Sequence, residues 1–93
     1  MQDQEEVVHE TDKHRFTLHP RGREAELVYR RAGNTIAFLH TGVPPELQGL
    51  GIASKLAKAA LDFARSENLR VRPLCPFVAD FIQRHAKYQD LVV

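Results

Sequence analysis

The chain has 93 residues, 43% of them hydrophobic and 27% charged, and a formal net charge of +1. That length supports one domain, 1–93, around a modest core. The near-neutral balance argues against a nucleic-acid partner. No apolar run is long enough to cross a bilayer, which argues against a membrane partner. A lone cysteine cannot form an internal disulfide and fits a reducing, cytoplasmic setting.

The first residues, Met1 to Glu6, are polar and acidic, unlike a secretory leader, and Met1 to Gln4 are expected to fray. Val7-Val8-His9 reads as a short strand and Thr11-Asp12-Lys13 as a turn. Arg15 to Leu18 reads as a second strand, with Phe16 and Leu18 facing one way. Pro20-Arg21-Gly22 is a turn. Glu24 to Arg31 alternates, with Ala25, Leu27 and Tyr29 opposing Glu24, Glu26, Val28 and Arg30, which predicts a half-buried antiparallel strand.

Ala32-Gly33-Asn34 reads as a hairpin turn. Thr35 to Val43 is apolar on both faces and predicts a central strand, covered on both sides if the two later helices lie on opposite faces. Ile52 to Glu67 carries Ile52, Leu56, Ala59, Ala60 and Phe63 at helical spacing, with Asn68 as a left-handed stop. Leu69 to Leu74 is a short strand with Arg70 and Arg72 on an exposed face. The intervening crossover makes it parallel to the strand before the helix. Pro76 suits the first position of a second helix with Cys75 as its N-cap and Phe77, Val78, Phe81 and Ile82 as its stripe.

Between the central strand and the first helix lies Val43-Pro44-Pro45-Glu46-Leu47-Gln48-Gly49-Leu50-Gly51-Ile52-Ala53. No Ser, Thr, Asp or Asn stands between Pro45 and Ala53 to occupy the free N–H groups of the helix start. Gly49 and Gly51 can take positive φ and keep side chains away. Such a start suits an anion such as phosphate, with Lys55 and Lys58 adding charge; a plain tight turn is the alternative. The segment is not a dinucleotide fingerprint, because the third glycine is missing. It is not a P-loop either, because the Gly-Lys-Ser/Thr ending is missing.

Gln48-x-x-Gly51-x-Ala53, with Val43 and Pro45 before it, resembles the acetyl-CoA-binding signature of the GCN5-related N-acetyltransferases. His40-Thr41-x-Val43-Pro44, then Cys75-Pro76-Phe77-Val78, then His85-x-x-Tyr88-Gln89-Asp90-Leu91-Val92, resembles the small single-domain branch of that superfamily. The resemblance implies an α+β fold: a mixed sheet, antiparallel at the N-terminal strands and parallel at the crossover, with two helices. Two neighbouring parallel strands would splay where acetyl-CoA enters, here those ending at Val43 and Leu74.

It implies acetyl-CoA or coenzyme A contacts from Thr41 and Val43 on the strand and from Gln48, Gly49, Leu50, Gly51, Ile52 and Ala53 at the helix start. Phe81 and His85 on the far side are further implied contacts. The Gln48 N–H would join the pyrophosphate donors, and Val43 would offer its backbone to the pantetheine arm. Implied catalytic candidates are Cys75, His40 and Tyr88. Cys75 would carry acetyl or line the cleft, with a buried strand-end cysteine as the alternative; His40 would be a general base or a core histidine, and Tyr88 a leaving-group acid or a packing residue. Glu46 is either a base acting through water or a solvated turn residue.

His9, His14 and His19 read as surface, without metal-ligand spacing. The implied activity is acetyl transfer to a primary amine of an unknown acceptor, which could be a protein or peptide, by a monomer or weak homodimer; a non-catalytic CoA-binding module is the alternative. Three departures from the family stand out. The second helix carries Phe77, Asp80 and Phe81 where larger members carry an Asn and a Tyr. His85-Ala86-Lys87-Tyr88 replaces a His-Pro-x-Tyr form. No early helices are present to shape an acceptor pocket.

Overall fold

The computed structural model describes residues 4–93. It holds a five-stranded sheet, β1 (Gln4–Glu10), β2 (Arg15–His19), β3 (Ala25–Ala32), β4 (Thr35–Gly42) and β5 (Arg70–Pro73), in that spatial order. The first three pairings are antiparallel and β4 pairs with β5 in parallel. The crossover between them is α1 (Ile52–Ser66), and α2 (Pro76–Arg84) follows β5. This is the mixed α+β architecture expected. The fraying expected of residues 1–3 lies outside the described residues, whereas Gln4 is paired with His19 in β1.

Local chemistry explains the elements. The β3–β4 hairpin closes through Gly33-Asn34, with Ala32 opposite Thr35 and Gly33 at φ 59°. Helix α1 ends in a Schellman motif. Asn68 takes φ 57°, the Leu69 N–H donates to Ala64 O at 2.9 Å, and the Asn68 N–H donates to Arg65 O at 3.1 Å. Pro76 opens α2 with Cys75 at the N-cap position, and no side chain caps the turn.

The core is one cluster. Phe16, Leu18, Leu27, Tyr29, Ile36, Phe38 and Val71 form its sheet side, and Ile52, Leu56, Ala60, Val78 and Phe81 belong to its helical side. The expectation of helices on opposite faces is corrected. On β5 Val71 is buried while Arg70 and Arg72 are exposed, so α2 covers the Val71 side, the side that α1 covers on β4. The shortest principal extent, 18 Å, suits one sheet and one helical layer; a helix is about 10 Å across, so a second helical layer would not fit. Among the described residues, no helix lies on the other face, where Ala37 and Val28 are half-buried.

The stripe on α1 is also corrected. Ala57, Leu61 and Ala64 are buried beside Ile52, Leu56 and Ala60, whereas Ala59 and Phe63 are half-buried. The helix is covered along one side by the sheet and along another by α2 and the C-terminal 3-10 turns over Ala86–Leu91, so its buried arc is wider than a single stripe. Phe63 sits at the sheet margin instead, edge-on to His9 at 4.4 Å between ring centres. His9 is therefore not a surface residue. It stacks on Phe16 at 4.1 Å and shares a 2.6 Å hydrogen bond with the Tyr29 hydroxyl.

Two irregularities position the site. Across β3–β4 the pairing steps from Val28–His40 to Tyr29–Phe38, leaving Leu39 unpaired as a bulge. Across β4–β5 the ladder stops at Phe38–Pro73, and the last link is the Cys75 N–H donating to Phe38 O at 2.8 Å. Beyond it β4 continues to Gly42 still paired with β3 but, among the described residues, with no strand on its β5-facing edge, so a slot opens between β4 and the start of α2.

Candidate functional site: a cleft between the parted strands and the start of the first helix

The chain leaves β4 through Val43 and Pro44 and makes one 3-10 turn, Pro45–Leu47, anchored by buried Leu47. It then reverses through Gly49 at φ 85° and Gly51 at φ 79° into α1. At both glycines a Cβ would meet nothing within 4 Å. Glycine is required there by the left-handed backbone, not by packing, and the space in front of each is open.

Gly51 is the N-cap and offers no side-chain cap, and no acidic residue lies in the first turn. Among the described residues, the N–H groups of residues 49–54 have no acceptor; the first helical bond runs from the Lys55 N–H to Gly51 O at 3.1 Å. Six consecutive unoccupied donors stand at the positive end of a 15-residue helix, an arrangement suited to an anion. One expected donor is removed: the Gln48 N–H is bonded to Pro45 O at 3.3 Å. The side chain of Gln48 instead donates to Val43 O at 3.2 Å, tying the turn to the strand end.

In front of these donors lies a cavity of about 450 Å³, lined by Thr41, Val43, Leu47, Gln48, Gly49, Gly51, Ile52, Ala53, Ser54 and Phe77. Seven of these are residues expected from the sequence. Leu50 is not among them and is half exposed to solvent. Phe81 and His85 are not among them either: Phe81 is buried, with the His85 ring stacked on it at 4.0 Å and His85 Nδ1 2.8 Å from Phe81 O. Leu47, Ser54 and Phe77 were missed. Ser54 stands one residue past the stretch that lacks capping side chains, in the first turn of α1. Phe77 belongs to the apolar stripe of α2 but sits at its edge, half-buried and turned to the cavity.

The three catalytic candidates are not brought together. Cys75 is buried, with Sγ 3.3 Å from the Thr41 hydroxyl, so it lies behind a residue that lines the cavity. His40 is exposed and pairs with Val28 on the helix-free face. Tyr88 is buried and donates a 2.7 Å hydrogen bond to Asp62, ten residues and roughly 15 Å along α1 from its start. Burial first, and then the Asp62 carboxylate, push the Tyr88 hydroxyl up to about 12. Burial works against charge on Asp62, but the bonds from Tyr88 and Lys58 outweigh it and hold this carboxyl below its ordinary value. Lys58 is thereby committed to Asp62 at 2.9 Å. Glu46 is paired with Arg23.

Residues 15–91 match the family model of the GCN5-related N-acetyl-transferases. The chain belongs to that family. Among curated proteins it is similar to Protein NATD1 of Bos taurus, 39% identical over 91% of this chain and 78% of that one. It is also similar to Protein NATD1 of Homo sapiens, 37% identical over the same shares. Among solved structures it is similar to the NMR structure of a GCN5-like protein from Staphylococcus aureus, with a TM-score of 0.77 and 31% identity over 100% of this chain and 91% of that one. In this GCN5-related member the parted strands and the uncapped helix start are the features that frame the cleft.

Proposed function

We propose that the protein is an acetyl-CoA-dependent N-acetyltransferase acting on a primary amine. One observation carries the reading: of the six unoccupied N–H groups at residues 49–54, all but that of Leu50 belong to residues that line a cavity continuing to Thr41 on the β5-facing edge of β4 and to Val43 just beyond it. These residues fit the cofactor. The donors of residues 49–54, with the Ser54 hydroxyl, would hold its pyrophosphate. Val43 and Thr41 would flank its pantetheine arm, and Phe77 and Leu47 supply apolar walls. Bound acetyl-CoA supplies an activated thioester.

The chain's own groups do the rest. The Gly49 and Gly51 backbone keeps the donors pre-aimed, so little ordering is required on binding. The Val43 carbonyl is held in place by the Gln48 amide. His40, exposed and half-way along the helix-free face, can accept the proton of an incoming ammonium. With that proton on His40, the neutral amine would be free to take acetyl from the thioester, and the second proton it sheds would go to the departing thiolate. Cys75 sits behind Thr41 and would shape the end of the slot. Its free buried thiol suits the reducing cytoplasm proposed for the protein.

The test has two readings. Calorimetry should show acetyl-CoA binding, and thiol release against a panel of amines and peptides should show turnover. Binding without turnover would favour a CoA-holding module on the same fold, a reading motivated by the distance of Tyr88 from the cleft and by His40 and Cys75 lying on different faces. A His40→Gln variant should lose roughly 10²-fold in rate while keeping acetyl-CoA affinity. Cys75→Ala should stay within a few-fold of the parent if the thiol only packs.

A further inference from the structure

The helix-free face of the sheet is laid out by the strand register. Across it run the rows Val8–Thr17–Glu26–Gly42, Glu10–Arg15–Val28–His40 and Arg30–Ala37–Arg72. Its two ends differ in charge. At one end the Arg15 guanidinium is shared among Glu10, Glu24 and Glu26, the last at 2.9 Å, so carboxylates outnumber cations. A second cavity, about 420 Å³, lies here, lined by Arg15, Glu24, Glu26, Gly42, Val43 and Pro44. Val43 lines this cavity and the cofactor cleft alike, so the two adjoin.

At the other end Arg30 and Arg72 flank Ala37 across three strands. Both are exposed, and among the described residues neither guanidinium has an ion-pair or hydrogen-bond partner. Between the ends stands His40. A Cβ on Gly42 would meet its Nε2 at 3.2 Å and Glu26 Cγ at 3.9 Å, so the imidazole is folded over Gly42 beside the acidic end. One further feature marks this face. Thr17, directly across from Glu26, is fully buried, and among the described residues its hydroxyl has no hydrogen-bond partner.

Resting on the acetyl-transfer reading, we propose that this face is the acceptor surface and that it selects an extended peptide whose reactive ammonium lies about four residues from an acidic side chain. The acidic end takes the ammonium beside His40, and the arginine pair takes the carboxylate. Arg30 lies four residue steps along β3 from Glu26, about 13 Å at roughly 3.3 Å each, which an extended peptide spans in the same number of steps. From the core side the slot is closed by Thr41 and buried Cys75, so the helix-free face is the open approach. β4 lies between β3 and β5 where the arginines sit, so recognition there is by side chains and not by strand addition.

The experiment titrates the full chain, with coenzyme A present, against three lysine peptides followed by NMR and calorimetry. One carries Asp four positions from the lysine, one carries Asp adjacent to it, and one carries Asn at the fourth position. Binding should be about fivefold to tenfold tighter for the first peptide, weaken with salt, and shift the amides of Val28, Ala37, His40 and Arg72. The preference should vanish in the Arg30→Ala, Arg72→Ala double variant, whose coenzyme A affinity should match the parent's. Equal affinity for all three peptides overturns the proposal. So do shifts confined to another face, or a solution dimer that Arg30→Glu dissolves, since a second copy would then be the occupant. Failure of coenzyme A itself to bind overturns the cofactor reading as well, which separates the two failures.

Discussion

At the scale of single residues, Gly51 decides most. Its φ of 79° costs a side-chain-bearing residue about 1–2 kcal/mol, and a Cβ there would project into the open space before the free donors. Gly51→Ala is expected to weaken acetyl-CoA binding by about tenfold or more while the chain stays folded, measured by calorimetry beside circular dichroism. Parental affinity would remove the donors at residues 49–54 from the binding argument. Thr17 gives a test of opposite sign. A buried hydroxyl with no partner costs roughly 1–3 kcal/mol, and valine fills the same volume without it. Thr17→Val should therefore stabilise by about 1 kcal/mol in urea unfolding. A loss of that size would mean the hydroxyl has a partner in solution.

At the scale of elements, the C-terminal 3-10 segment behaves as a latch across α1. Tyr88 donates to Asp62 at 2.7 Å, and Arg65 holds Asp90 at 2.8 Å and also bonds the Lys87 carbonyl. Beyond the latch Val92 pairs with Val71 at the sheet edge, and Arg70 bonds the carbonyls of Asp90 and Val92. Tyr88→Phe should cost about 1 kcal/mol in stability by removing one hydrogen bond to a charged acceptor whose other side is wet. Turnover should change less than twofold. A hundredfold fall in kcat with stability unchanged would restore Tyr88 as an acid and oppose the latch.

At the scale of the whole molecule, the pH dependence of stability should report the ring cluster joining β1 to the sheet and to α1. Burial, and secondarily Arg31, hold His9 below its ordinary value of 6.5. The unfolded chain therefore takes up a proton at higher pH than the folded one does. Stability is complete above about 6.5 and falls as pH drops toward the folded value. His9→Gln, which keeps a polar group toward Tyr29, should lower the thermal midpoint at pH 7 and flatten its decline between about pH 7 and 5. An equally steep decline in the variant would place the titration elsewhere.

Periodicity, turn residues and caps determined the elements: Asn68 as the left-handed stop, Pro76 as the opening of α2, the Ala32–Thr35 hairpin and the parallel return of β5. The free amides were legible too, because the lack of capping side chains before Ala53 is a local property of the chain. What hydrophobic pattern cannot encode is which face of a strand a distant helix covers. Thr35 to Val43 is apolar on both sides, yet both helices pack on the Val71 side, and that choice leaves Arg30, Ala37 and Arg72 in the open. Nor can spacing say that Tyr88, 48 residues from His40 in the chain, would bond to Asp62 instead of approaching the slot. Local sequence sets backbone conformation because its energetics are local; the partners of His40, Cys75 and Tyr88 were set by long-range packing, which only the assembled sheet and helices decide.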